Sequence, residues 1–279
     1  LLSNLESGKN RQDAIGVLHD LSEALQEKSC DHLFVRSVDV PGLDKPVNLF
    51  LTPAVFSPEL WGQTFAEGLM KDPDQFESTR VVELGTGCGW ISLLLLMKTG
   101  VKEVVGLDIN PVAVTIARLN AWLNGTTRDG KVLNSKAGVP IVGAFRICQS
   151  DLLEDAISQR DEFDHIIGCI PQVLHPGGDT EDKPESSIKE RDLYDLSNYC
   201  FEQGILEDRF GLPLIARALE QSQLCLKRGG KVTLILGGRP GPDAIKAMFE
   251  RRGFKSNVVW SRRIPQADDT DLASLVSLE

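Results

Sequence analysis

Val81-Val82-Glu83-Leu84-Gly85-Thr86-Gly87-Cys88-Gly89-Trp90 is the stretch on which the reading of the whole chain turns. A short β-prone run ends in three glycines at alternate positions, and an apolar segment at 91–97 follows at once. Glycines so placed make a tight turn and let a ligand approach bare backbone. Working outward, 101–107 reads as a second strand ending in Gly106-Leu107-Asp108-Ile109-Asn110-Pro111, and Pro111 opens a helix over 111–123. Further strands are expected at 144–149 and 163–170, then at 231–236 and 254–260. Helices are expected at 90–98, 193–205, 212–226 and 242–251. This alternation predicts an α/β fold, a doubly wound, mostly parallel sheet with helices on both faces.

The front of the chain is different. Ala14, Val17, Leu18, Leu21 and Leu25 recur at helical spacing within 1–28, and β-like stretches follow at 32–40 and 47–55. Pro58 begins a helix with Trp61, Phe65 and Leu69 on one face. The expected organisation is an N-terminal helical and β cap with substrate-side elements (1–70), a cofactor-binding catalytic domain (71–265) and a polar tail (266–279). Residues 176–191 are charged, hold Gly177, Gly178 and Pro184, and read as a surface loop suited to act as a lid over a site.

Composition limits the partners. The net charge of −10 argues against nucleic acid, whose binding needs a basic surface. Arg251, Arg252, Arg262 and Arg263 are the only cluster resembling a basic groove, and a solvated helix end explains them more simply. The six cysteines form no CxxC and no Cys/His cluster, so neither a metal site nor a disulfide framework is expected, and a reducing, cytoplasmic setting fits. No apolar run has the length of a membrane span, and 1–10 lacks the features of a signal peptide. Oligomeric state is not legible.

The spacing GxGxG, with Glu83 two positions before the first glycine, differs from the GxGxxG of dinucleotide sites, whose amides hold a pyrophosphate. It resembles motif I of the class I methyltransferases. That resemblance implies S-adenosylmethionine as cofactor and S-adenosylhomocysteine as product, without a metal. Glu83, Gly85, Thr86, Gly87, Cys88, Gly89 and Trp90 would wrap its amino-acid half. Asp108, with Ile109 and Asn110, stands where a carboxylate accepts both ribose hydroxyls. Asp151 with Leu152, in Gln149-Ser150-Asp151-Leu152, stands where family members accept the adenine amino group. Each element alone has a plain structural reading, such as Asp108 capping a helix, but three in order at strand ends point to the methyltransferases.

The fourth strand end bears on the acceptor. Nitrogen methyltransferases of the release-factor type carry Asn/Asp-Pro-Pro-Tyr there, whereas this chain has Ile170-Pro171-Gln172-Val173. A planar amide would lose its hydrogen-bond acceptor and its stacking ring. Gly168-Cys169-Ile170-Pro171-Gln172 resembles instead the methyltransferase region of the methionine S-methyltransferases. So do Leu196-Ser197-Asn198-Tyr199-Cys200, Glu207-Asp208-Arg209-Phe210-Gly211-Leu212 and Gly237-Gly238-Arg239-Pro240-Gly241. Plant members carry a further aminotransferase-like region, so the chain reads as a short form or an excised domain.

The resemblance implies methyl transfer to the thioether sulfur of free L-methionine, giving S-methylmethionine. A thioether loses no proton on methylation, so alignment and exclusion of water suffice and no general base is needed. Pro171, Gln172 and Tyr194 are the expected lining of the reacting centre, and Ile170 is expected among the cofactor-binding residues. Tyr194, Asn198 and Tyr199 are the candidates for the methionine pocket, and Arg239 for its carboxylate. His175 reads as loop surface. Trp61 and Phe65 fit either a cover over the cofactor or ordinary core. Asp208 and Arg209 fit a pair with each other or contacts with the cap. Rival readings are an N-methyltransferase of a protein glutamine or small molecule, a non-catalytic cofactor-binding scaffold, and a nicotinamide oxidoreductase, which the glycine spacing disfavours.

Overall fold

The computed structural model describes residues 1–28, 30–172 and 204–265. Five parallel strands form one sheet: β3 (Arg80–Leu84), β4 (Glu103–Asp108), β5 (Phe145–Gln149), β6 (Phe163–Gly168) and β7 (Leu226–Leu234). Their spatial order is β5-β4-β3-β6-β7, every neighbouring pair being parallel. The chain therefore moves outward from β3 in one direction, then returns and builds in the other. Such a sheet opens a crevice at the carboxyl ends of the two strands where the order reverses, here β3 and β6. Leu84 stands beside Gly168 in that register.

Alternation along the strands divides the core. Val81, Val104, Phe145 and Ile167 face one side, and Val82, Val105, Leu107 and Ile166 the other. The first side is covered by α4 (Trp90–Lys98) and α5 (Pro111–Gly125). Residues 90–96 of α4 are all buried, so its apolar run is an interior helix packed all round rather than an amphipathic one. The second side is covered by α7 (Glu154–Ser158), α8 (Pro213–Cys225) and α9 (Pro242–Arg251). A short helix, α6 (Ile141–Ala144), leads into β5.

The N-terminal segment, 1–70, shares the core of the first side. It comprises α1 (Leu2–Ser7), α2 (Arg11–Glu27), an antiparallel hairpin of β1 (Phe34–Val38) and β2 (Val47–Leu51), and α3 (Leu60–Leu69). Leu5, Ile15, Leu18, Leu49 and Phe50 are buried together with α4 and α5.

Two expectations need correction. The helix expected within 1–28 is two helices, broken where Gly8 and Asn10 adopt left-handed backbone (φ 79° and 53°). The strand expected at 254–260 does not form. Trp260 packs against α3 at Gly68, under the Lys71 ammonium 3.9 Å from its ring, and Arg262 pairs with Glu67 at 2.9 Å. The segment thus crosses to α3 instead of extending the sheet. The tail after 265, the 176–191 loop and the helix expected at 193–205 lie outside the described residues, apart from the last two positions of that helix.

Candidate active site

The crevice between β3 and β6 is built around the glycine turn. Gly85, Gly87 and Gly89 all take positive φ (66°, 54° and 82°), a conformation side chains resist. At Gly89 packing adds to this, because a Cβ would lie 3.2 Å from Ala117 Cβ and 3.1 Å from Phe145 Cε1. Its turn amides bond within the protein. The Gly85 and Thr86 amides donate to the Leu107 carbonyl at 2.8 and 3.1 Å, and that of Gly89 to Thr86 at 2.8 Å. The Gly87 amide donates to Asp108 Oδ2 at 2.8 Å.

Glu83 is fully buried below this turn. Its carboxylate accepts the Thr86 hydroxyl at 2.8 Å, the Ser92 hydroxyl, and the backbone N–H of Ser92 in the first turn of α4. Gly106, opposite it in register, leaves the room that Thr86 fills. Burial pushes the Glu83 carboxyl up to about 7, against the hydrogen bonds from Ser92 and Thr86, and the Asp108 charge adds to the rise.

Asp108 ends β4 with both oxygens engaged from one side, Oδ2 by Gly87 N–H and Oδ1 by Asn110 N–H at 2.9 Å. Burial raises its pKa, opposed by those two amides. Each oxygen retains a lone pair for another donor. Asn110 caps α5 through Val112 N–H, and its amide donates to Ala54 O at 2.8 Å. Beyond Asp108 lies an open hollow of about 430 Å³ lined by Ile109, Gln149, Asp151, Glu154 and Ser158 among others. Asp151 is paired with Arg217 at 2.9 Å, and Leu152 holds an unusual positive φ of 47° while buried. A branched side chain in that conformation is strained and is held there by its surroundings.

At the end of β6, Ile170 is buried, and a Cβ on Gly85 would lie 3.3 Å from its Cγ2. The Gln172 side-chain oxygen accepts the Gly237 amide, tying the end of β6 to the chain after β7. Arg239 is exposed, with Nη2 3.4 Å from the Gln172 carbonyl. Trp61 of α3 reaches both Cys169 and Gly237, while Phe65 is packed in the core. Burial pushes the thiols of Cys88 and Cys169 up to about 12. Tyr194, Asn198, Tyr199 and His175 lie outside the described residues.

The donor set fits a phosphate-free nucleoside. Asp108 offers two oxygens to a diol, and the turn amides already bonded internally leave little for a phosphate. Sequence reasoning missed Asn120 and Ser92, both buried. Each is a polar residue on a helix face that is otherwise core, and that inconsistency was the available signal. Of the four arginines considered for a basic groove, three are in ion pairs: Arg251 and Arg252 with buried Glu207 (2.7 and 2.8 Å), Arg252 also with Glu220, and Arg262 with Glu67. Asp208 accepts the Ile205 amide at 2.8 Å. Among the described residues no cluster suited to a metal occurs, and no helix is long and apolar enough to cross a membrane.

Residues 69–159 match the family model of ribosomal protein L11 methyltransferase. That span runs from the end of α3 to the end of α7. The chain is 42% identical over 238 residues to methionine S-methyltransferase of Hordeum vulgare, and 39% identical over 237 residues to that of Arabidopsis thaliana. Each alignment covers 84% of this chain and 22% of the plant protein, so the chain spans about a fifth of the length of these relatives. A Methanocaldococcus jannaschii protein described as a candidate protein N5-glutamine methyltransferase is 27% identical over 222 residues, 78% of this chain and 90% of that protein. By these identities the chain belongs, over the region it spans, to the methionine S-methyltransferase family.

Proposed function

We propose that the chain transfers a methyl group from S-adenosylmethionine to the thioether sulfur of L-methionine. When bound, the cofactor supplies an electrophilic methyl group on a sulfonium. Asp108 holds the ribose diol, the 151–152 segment the adenine edge, and the turn from Glu83 to Trp90 the amino-acid half. Pro171, Gln172 and Ile170 line the reacting centre on the β6 side, and Trp61 limits access of water from α3. Arg239 pairs with the carboxylate of methionine, and Tyr194, Asn198 and Tyr199 complete its pocket. The N-terminal segment, 1–70, serves as the cap on the substrate side.

Ile170 is the observation that carries the acceptor assignment. An aliphatic side chain, buried against Gly85, stands where an amide-methylating enzyme needs an oxygen to grip NH₂. A thioether asks for no such oxygen and gives up no proton. The groups around the crevice suit that demand: Cys88 and Cys169 are held protonated by burial, and Glu83 is occupied by two hydroxyls. The identity with the plant enzymes supports the same acceptor. A second reading, methylation of a protein glutamine, draws on the likeness to the archaeal protein.

The test is methyl transfer from labelled S-adenosylmethionine with free methionine, a glutamine peptide and no acceptor in parallel. Label in S-methylmethionine, and only when methionine is present, is the expected result. Label on the peptide, or none with methionine, overturns the sulfur assignment.

A further inference from the structure

Strand β2 pairs with β1 along one edge. Its other edge faces α5, where no strand lies, and asparagines take the place of one. Asn120 Oδ1 accepts the Phe50 amide at 2.7 Å and its Nδ2 donates to the Phe50 carbonyl at 3.1 Å, as a neighbouring strand residue would. Asn124, one helical turn on, donates to the Asn48 carbonyl at 2.9 Å. The spacing works because four residues of helix rise about 6 Å and two residues of strand about 6.7 Å.

Asn120 has one further donor, and it goes elsewhere. Its Nδ2 also bonds the Cys88 carbonyl at 2.9 Å, in the middle of the glycine turn. Cys88 and Asn120 are both fully buried, so water does not compete for that carbonyl. All the hydrogen-bonding capacity of the Asn120 side-chain N–H groups is thereby used on the hairpin and the turn. A parallel link runs through Asn110, whose side chain holds Ala54 and whose amide holds Asp108. Val55 completes the contact, 3.9 Å from where a Cβ on Gly87 would sit.

We infer that Asn120 is a positioning residue: it fixes the glycine turn against the N-terminal hairpin, so that cofactor affinity depends on the docking of that hairpin. The inference rests on the reading of the turn as the cofactor site. Asn124 supplies the control, since it holds the same strand without touching the turn.

The experiment compares the full chain with Asn120→Ala and Asn124→Ala by two readouts. One is S-adenosylhomocysteine affinity by calorimetry; the other is hydrogen exchange of the Gly87 and Gly89 amides in the ligand-free protein. Both variants are expected to melt earlier than the parent. Asn120→Ala is expected to lose at least tenfold in affinity and to speed exchange at the turn, whereas Asn124→Ala changes affinity less than twofold and leaves the turn protected. Equal affinity and equal turn exchange in the two variants overturn the inference. If the parent chain binds no S-adenosylhomocysteine, the cofactor assignment falls, and turn exchange alone decides the role of Asn120. If Asn120→Ala does not fold, Asn120→Ser, which also lacks both N–H donors, is read by the same criteria.

Discussion

Replacing Glu83 by glutamine removes a pH dependence that burial imposes on the fold. The carboxyl ordinarily titrates at 4.5 and is pushed up to about 7 in the native protein. The native state therefore binds this proton more tightly than the unfolded chain does. Its contribution to stability is fully present below pH 4.5 and is lost as pH rises toward 7. At about 1.4 kcal/mol per pH unit, the loss over that window is about 3 kcal/mol. Glutamine keeps an oxygen for the Thr86 and Ser92 hydroxyls but adds an NH₂ in a site made for acceptors, at a pH-independent cost of about 1–3 kcal/mol. The variant is thus expected to be less stable than the parent at pH 4.5 and to gain on it by about 3 kcal/mol by pH 8. Urea denaturation of both proteins at half-unit steps from pH 4.5 to 8.5 measures the difference. Two curves that stay parallel across the range would show that Glu83 titrates as an ordinary carboxylate, and would refute the reasoning.

Glu207 gives the opposite sign in an acid window. Burial raises its pKa, but the hydrogen bonds from Arg252 and Arg251 outweigh this and leave it at about 2. Its contribution of up to about 3 kcal/mol is present above pH 4.5 and lost as pH falls toward 2. Acid denaturation of Glu207→Gln is expected to lack that loss. Gly89→Ala, forced into positive φ against Phe145 and Ala117, is expected to lower stability by about 1–2 kcal/mol or more in a thermal melt. Asp108→Ala is expected to weaken S-adenosylhomocysteine binding about tenfold or more in calorimetry, the scale of hydrogen bonds to a charged group; unchanged affinity removes it from the ribose site. Arg239→Ala is expected to raise the KM for methionine about tenfold and spare cofactor affinity. A collapse of cofactor affinity instead would refute its pairing with the methionine carboxylate.

The sheet was legible because local pattern and global fold agree along it. Strands β3, β4 and β6, buried on both faces, read as short apolar runs, with glycine closing β3 and β6 and an Asn-Pro break following β4. At 254–260 local pattern misleads. Val258, Val259 and Trp260 look like a strand, yet β-propensity has effect only where a neighbour offers its edge, and α3 offers Trp260 a surface first. The broken first helix fails for a smaller reason. The periodicity set by Ala14 to Leu25 begins only after Gly8 and Asn10, whose left-handed backbone makes the stop. In the site, Asp108 and the glycine turn could be read because their chemistry depends on spacing along the chain. Asn120 could not, because its partners Phe50 and Cys88 lie 70 and 32 residues away in sequence.

The hydroxyl and amide of Ser92 that close on Glu83 bear on what the crevice refuses. The start of a helix behind a glycine turn is ordinarily a berth for phosphate, since free amides and the helix dipole favour an anion there. In this protein the berth has a permanent tenant, a carboxylate that is part of the chain. The adenosine halves of ATP and of nicotinamide cofactors would suit Asp108 as well as any other adenosine. Their phosphates, however, would meet a carboxyl group already seated there and amides already engaged. With the Gly85, Thr86, Gly87 and Gly89 amides bonded within the protein, the turn disfavours a phosphate whether Glu83 is charged or protonated.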